Sequence, residues 1–245
     1  MERRDRSTVA TFYADQPLAA GGRVDLDDAA AQHARVRRVQ VGDSVRVTNG
    51  RGSIGEGSLE RITKGAALVT VQSVRAIAAP PSLRLFVPVA DRERMLWLAE
   101  KSAEVAVTEW QPVVFQRSLS VTPRGQGDAF TRKARARMIG ALEQSGGAWL
   151  PEICPELSLE EALVRAERAE ADRFFLERGG RRLLTTRPRA ADAMVGPEGG
   201  ITDEERTLIV DRHGWLPVSI GETTLRFETA GVIAAGLLRG LLAEP

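Results

Sequence analysis

The sequence predicts an α/β protein, in which a mostly parallel sheet covered by helices follows a small antiparallel β-barrel. Three observations predict it. In residues 1–76, short apolar runs alternate with Asn-Gly, Gly-x-Gly and Lys-Gly, as in "DSVRVTNGRGSIGEGSLERITKGAALVTVQSV", which are hairpin signals. The Pro-Pro pair of "IAAPPSL", residues 77–83, stops that pattern and marks a seam. Beyond it, apolar strands alternate with stretches of helical period, as parallel βαβ units do. The expected domains are 1–76 and 77–245.

Within the barrel, "LDDAAAQHARVRRV" reads as a short helix, and His33, with an apolar neighbour on each side, reads as structural. After the seam, "LRLFVPVA" is a buried strand, "RERMLWLAEKSAEVAV" a helix and "WQPVVF" a short strand. "DAFTRKARARMIGALEQSG" is a helix with a basic start, and "SLEEALVRAERA" opens with a capping box from Ser158 to Glu161. "DRFFLE", "DAMVG" and "WLPVSIG" are further strands, and "ETAGVIAAGLLRGLL" closes the chain as an apolar helix.

Composition narrows the class. With 43% hydrophobic and 27% charged residues, the chain can build an ordinary core. No apolar run nears the ~20 residues of a membrane span, and the N-terminus lacks the apolar stretch of a signal peptide. The expectation is a cytoplasmic protein without membrane contact. The single cysteine, Cys154, cannot form an internal disulfide and reads as an inert thiol. Net charge is +1, yet only three of the 34 basic residues are lysine (Lys64, Lys101, Lys133). Any basic patch is therefore guanidinium, which grips phosphate in bidentate fashion. Residues 117–137 carry Arg117, Arg124, Arg132, Lys133, Arg135 and Arg137 against Asp128 alone, whereas 152–172 hold seven acids against two arginines. Such asymmetry suits a face turned to a polyanion.

Two glycine-bearing stretches carry the chemistry. In "VGPEGGITDEE", Val195 ends a strand, and Gly196, Gly199 and Gly200 let the main chain turn back and approach a ligand closely. Thr202 and Glu205 form a capping box for the next helix. The stretch lacks both the G-x-x-x-x-G-K-[ST] of a phosphate loop and the G-x-G-x-x-G of a dinucleotide site. In "SIGETTLRFETAGVIAAG", a strand again ends in Gly221, and a helix starts near Thr229 with Glu228 in its first turn. Both stretches lie at the carboxyl ends of strands, where ligands bind in parallel sheets.

Together they resemble the SPOUT methyltransferases, and within them the ribosomal RNA small subunit methyltransferase E family, which methylates N3 of a uridine in 16S ribosomal RNA. The GPEGG loop and "IGETTLRFETA" match its C-terminal motifs. "HARVRRVQVGDSVRVTNGRG" resembles its N-terminal barrel, and "EKSAEVAVTEWQPVVFQRS" and "EQSGGAWLPEI" resemble its intervening segments. The chain departs from the family pattern at Ala106, where a glycine is usual, at Gly147 and Thr223, where arginines are usual, and at Phe227, where a threonine is usual. The resemblance implies a PUA-like barrel, a trefoil-knotted SPOUT domain, S-adenosylmethionine as cofactor and a homodimer acting on the small ribosomal subunit. It assigns the cofactor to Leu176, Glu177, Gly196, Pro197, Glu198, Gly199, Gly200, Ile220, Gly221, Leu225 and Arg226. Glu198 is either a direct ligand or a carboxylate that pins its own loop.

Methylating N3 of uracil requires loss of its proton while the flanking carbonyls gather charge, so a cation and a proton acceptor are needed. Arg226 is the first candidate for the cation and Arg117 the second. Glu228 is either the proton acceptor or a partner of the helix dipole. Arg35, Arg37, Arg38, Arg46, Arg124 and Arg132 are the candidates for RNA phosphates. His33 and His213 lie in different domains without ligand spacing, so no metal is expected. The alternatives are another SPOUT specificity, at a ribose 2′-hydroxyl or a guanine, and a non-catalytic RNA-binding assembly factor.

Overall fold

A computed structural model describes residues 9–120, 125–183 and 187–242. The chain divides into two compact units, Met1–Ala79 with Ile139–Leu150, and Pro80–Met138 with Pro151–Pro245. A single cut at 77 does not foresee that Ile139–Leu150 groups with the first unit.

That unit holds β1 (Ala10–Tyr13), β2 (Arg23–Leu26), α1 (Asp28–Val36), β3 (Ser44–Thr48), β4 (Ser53–Ile62) and β5 (Ala67–Ala76). The sheet order is β1-β3-β4-β5-β2. Its pairs are antiparallel as expected, except that β1 runs parallel to β3. Asn-Gly and Lys-Gly do lie at the turns joining β3 to β4 and β4 to β5, but the Gly-x-Gly of Gly55 and Gly57 is inside β4. The reason is a bulge: the register against β5 shifts between Glu56 and Gly57, and a Cβ on Gly57 would stand 2.0 Å from the Thr70 carbonyl oxygen. Glycine there admits the close approach that curls the sheet.

Inside the curl lie Phe12, Val24, Leu26, Val45, Val47, Leu59, Val69 and Val71, capped by Ala30, Ala31 and Ala34 of α1. Glu143 accepts the Tyr13 amide at 2.8 Å and meets His33 Nδ1 at 2.8 Å, while the His33 ring stands edge-on to Phe12. Burial pushes the Glu143 carboxyl above its ordinary range, against the pull of those two partners. Trp149 Nε1 donates to the carbonyls of Ile77 and Ala78.

The second unit is built on one parallel sheet. Its strands are β6 (Leu83–Pro88), β7 (Glu109–Val114), β8 (Glu152–Ile153), β9 (Leu157–Ser158), β10 (Asp172–Arg182), β11 (Ala191–Val195) and β12 (Leu216–Ser219). Their order is β12-β10-β11-β6-β7-β8, with β9 also on β7. The helices are α2 (Arg92–Glu104), α3 (Asp128–Ser145, whose residues from Ile139 onward group with the first unit), α4 (Leu159–Glu167), α5 (Asp203–Arg206) and α6 (Phe227–Leu241). A 3₁₀ turn, Gln116–Ser120, follows β7, and a π-helical turn, Thr207–Arg212, continues α5. Among the described residues, no helix is long and apolar enough to cross a membrane.

β6 and β11 are buried along their whole length, as central strands of a parallel sheet are. Two charges break that apolar run. Arg84 of β6 and Asp192 of β11 are register partners, and Arg84 Nε donates to Asp192 Oδ1 at 2.6 Å. Arg84 also donates to the Ala166 carbonyl at the end of α4. Both capping boxes read from the sequence form, Ser158 with Glu161 and Thr202 with Glu205. Cys154 is buried, and burial pushes its thiol up despite the Arg165 guanidinium 3.4 Å away.

Ala106 explains one departure from the family pattern. Past the C-cap of α2, the Val107 amide bonds the Ser102 carbonyl and the Ala106 amide the Ala103 carbonyl, a Schellman closure. It forces Ala106 to φ 56°, the left-handed region that suits glycine. Ala106→Gly is expected to raise unfolding stability by about 1 kcal/mol, measured by chemical denaturation.

Candidate functional site

A cavity of about 700 Å³ opens at the carboxyl ends of β11 and β12 and beside the middle of β10. Three segments wall it: Phe175–Arg178 of β10, Val195–Ile201 after β11, and the stretch from Val218 to Ala230 that leads into α6. Arg94, on the first turn of α2, closes one side.

The loop after β11 is held from several directions. Gly200, at φ 73°, donates its amide to the Pro197 carbonyl and so turns the chain within four residues. Glu205 Oε2 returns to the Thr202 amide as the capping box requires, while its Oε1 accepts the Gln116 amide at 2.7 Å. Arg117 Nη1 donates to the Gly199 carbonyl at 3.1 Å, and a Cβ on Gly199 would lie 3.1 Å from Arg117 Cβ. The loop is therefore tied to the 3₁₀ turn after β7.

Each carboxylate at the cavity wall has an arginine. Glu177 takes both prongs of Arg206, at 2.7 and 3.0 Å, and this bond drives the Arg206 guanidinium further into its charged form. Glu198 is hydrogen-bonded to Arg94 Nη1. Arg94 Nε also lies 4.0 Å from Glu228 Oε1, and the buried Oε2 of Glu228 has no hydrogen-bond partner. Arg94 thus joins α2, the loop after β11 and the start of α6.

The expected cofactor residues gather here. Leu176, Glu177, Gly196, Pro197, Glu198, Gly200, Ile220, Gly221, Leu225 and Arg226 line the cavity, and Gly199 backs it against Arg117. Arg226, the N-cap residue of α6, is exposed, with no side-chain partner among the described residues. Glu228 is not on the lining and meets the cavity through Arg94. Arg117 is likewise off the lining, at the back of the loop. Glu198 lines the cavity and ties its own loop to α2 through Arg94. Arg94 was missed, because its partners stand 104 and 134 residues away in sequence and nothing local marks it.

The candidate RNA arginines separate into groups. Arg35 spends its guanidinium on the Thr63 and Lys64 carbonyls, both at 2.7 Å, and Arg46 pairs with Glu56. Arg37, Arg38 and Arg132 are exposed, without side-chain partners among the described residues. Arg124 lies outside the described residues.

Residues 78–239 match the family described as RNA methyltransferase domain, and residues 26–72 match the RNA methyltransferase PUA domain. The ribosomal RNA small subunit methyltransferase E of Synechocystis is 26% identical over 85% of this chain and 69% of its own. That of Mycobacterium bovis is 27% identical over 92% and 89%. Among solved structures, the same enzyme from Neisseria gonorrhoeae, bound to S-adenosyl methionine, superposes with a TM-score of 0.82 at 27% identity, covering 96% of this chain and 98% of that one. A methyltransferase from Legionella pneumophila in complex with the same cofactor gives 0.83 at 26% identity, with the same coverage.

One wall depends on a close backbone approach. A Cβ on Gly180 would stand 2.7 Å from Pro217 C and Val218 N of β12. Gly180→Ala is expected to cost about 1–3 kcal/mol and to speed amide exchange along β12, read by hydrogen exchange.

Proposed function

The chain belongs to the RNA methyltransferase domain family, and from that premise we propose that it methylates N3 of a uridine in 16S ribosomal RNA, using S-adenosylmethionine. The observation that carries the reading is the cavity itself: bare glycine backbone and apolar side chains at the ends of β11 and β12 and along β10, of a size fit for an adenosyl group. The related enzymes crystallised with this cofactor share its fold over nearly their whole length. Bound there, the cofactor supplies an electrophilic methyl group.

The residues divide the work. Backbone groups of Gly196–Gly200 and Ile220–Gly221 would hold the cofactor, and Leu176, Leu225 and Phe227 of the lining would pack on it. A Cβ on Gly221 would meet no atom within 4 Å, so the space beside it is open to a ligand. Arg94 and Arg117 act at one remove, fixing the loop in advance so that little order is lost on binding. Arg226 faces the incoming base. Its guanidinium, without a side-chain partner among the described residues, and the positive end of the α6 dipole oppose the charge that N3 deprotonation puts on the uracil carbonyls. The base must leave its stack to reach them. Glu228 holds Arg94 in this arrangement and is off the cavity lining, so the N3 proton passes to water at the open mouth, and the donor would depart as its thioether, S-adenosylhomocysteine.

The same reading includes the trefoil knot, the cytoplasm as location and a homodimer. The dimer is supported by α6, whose outward face carries Val232, Ile233, Gly236, Leu237 and Gly240. Its one arginine, Arg239, turns away to the carbonyls of Pro81 and Ala106. An uncharged stripe of this kind calls for a partner, and a second copy supplies the same stripe.

Calorimetry should detect S-adenosylmethionine binding, and a strain lacking the protein should lose one N3-methyluridine from its 16S RNA; absence of both would refute the reading. Arg226→Ala should lower kcat on that RNA by about 10²–10³-fold in a methyl-transfer assay. Ile233→Glu should convert a dimer to a monomer in sedimentation velocity.

A further inference from the structure

β10 does not run straight along its neighbour. Leu176 and Arg181 are both aligned with Val218 of β12, so the four residues between them loop out of the ladder. Two glycines make the excursion possible. Gly179 sits at φ 85°, and Gly180 passes too close to the β12 backbone for any side chain. What the excursion carries outward is Arg178, with Arg181 at the point of re-entry. Both are exposed, and neither has a side-chain partner among the described residues.

Charge around the cavity sharpens the point. Arg178 lines the same cavity as Arg226, while the acids of that wall are already taken, Glu177 by Arg206 and Glu198 by Arg94. The mouth therefore has a positive edge of Arg178, Arg181 and Arg226, with Thr223 and Thr224 exposed beside it and Glu222 as the one exposed acid on that loop, so three guanidiniums face one carboxylate. A ligand held inside could offer a single carboxylate, too little for three guanidiniums, and Arg181 is not on the lining at all. A chain of phosphodiesters crossing the mouth matches the number and the position of these charges.

We propose that the looped-out segment of β10 is a phosphate clamp. Arg178 and Arg181 grip the RNA backbone beside the nucleotide whose base enters the cavity. The proposal rests on the methyl-transfer reading and adds to it a contact on the catalytic unit itself, separate from the barrel arginines.

The test is Arg178→Ala with Arg181→Ala in the full-length chain, bound to a single-stranded 16S RNA fragment across a salt titration. The expected result is a slope of log K against log salt shallower by about 1.4, from two phosphate contacts at ~0.7 each; Arg181→Ala alone, off the cavity lining, should lose ~0.7 with S-adenosylmethionine affinity by calorimetry unchanged. The double lysine variant should keep the slope, since the ammonium neutralises phosphate as a guanidinium does. An unchanged slope in the alanine variant overturns the clamp. So does weakened cofactor binding with normal RNA binding, which would make Arg178 a ligand of the methionyl carboxylate. The slope is read from RNA binding alone, so a wild-type protein that transferred no methyl group would refute the functional reading and leave this comparison decisive.

Discussion

The catalytic unit depends on one buried ion pair. Arg84 and Asp192 face each other across adjacent parallel strands, both almost wholly removed from water. A slip of one residue would strand both charges in an apolar sheet, and a buried charge without its partner costs about 3–5 kcal/mol. The pair therefore fixes the level of β6 against β11. That level decides where each strand releases its chain, β6 toward α2 and β11 toward the glycine loop. Arg94 and Glu198 can meet only because those two exits are aligned.

From there the cavity wall is assembled by charges that cancel in pairs. Arg206 answers Glu177, and Arg94 serves both Glu198 and Glu228. Each pair joins two segments distant in sequence, so the loops owe their shape to one another rather than to intrinsic stiffness. A wall rigid before the ligand arrives loses little entropy on binding. What the pairing leaves over is positive charge at the mouth, in Arg178 and Arg226, where a polyanion would approach.

Glycine does different work at different places. Gly57 bulges a barrel strand, Gly200 closes a tight turn, and Gly179 with Gly180 folds a strand out of its ladder. Ala106 shows the converse, a side chain held in the left-handed region by a helix closure that the backbone hydrogen bonds impose.

The order of strands and helices was legible because each carries its own period, and the helix starts because Ser158 and Thr202 cap locally. The cavity-lining residues between Leu176 and Arg226 were legible as motifs, since glycines at strand ends are a local signal. Arg94 was not, nor was the pairing of Arg35 and Arg46 inside the barrel, since a side chain's partner depends on which segments the fold brings together. The parallel pairing of β1 with β3 and the looping out of β10 escaped for the same reason. By itself the sequence determined the kinds of element, their succession and the chemistry at the strand ends. Only the tertiary structure decided which arginines are spent on neighbouring groups and which have no partner among the described residues, because that choice is made by distances in space between residues that stand 10 positions apart in one pair and 104 in another.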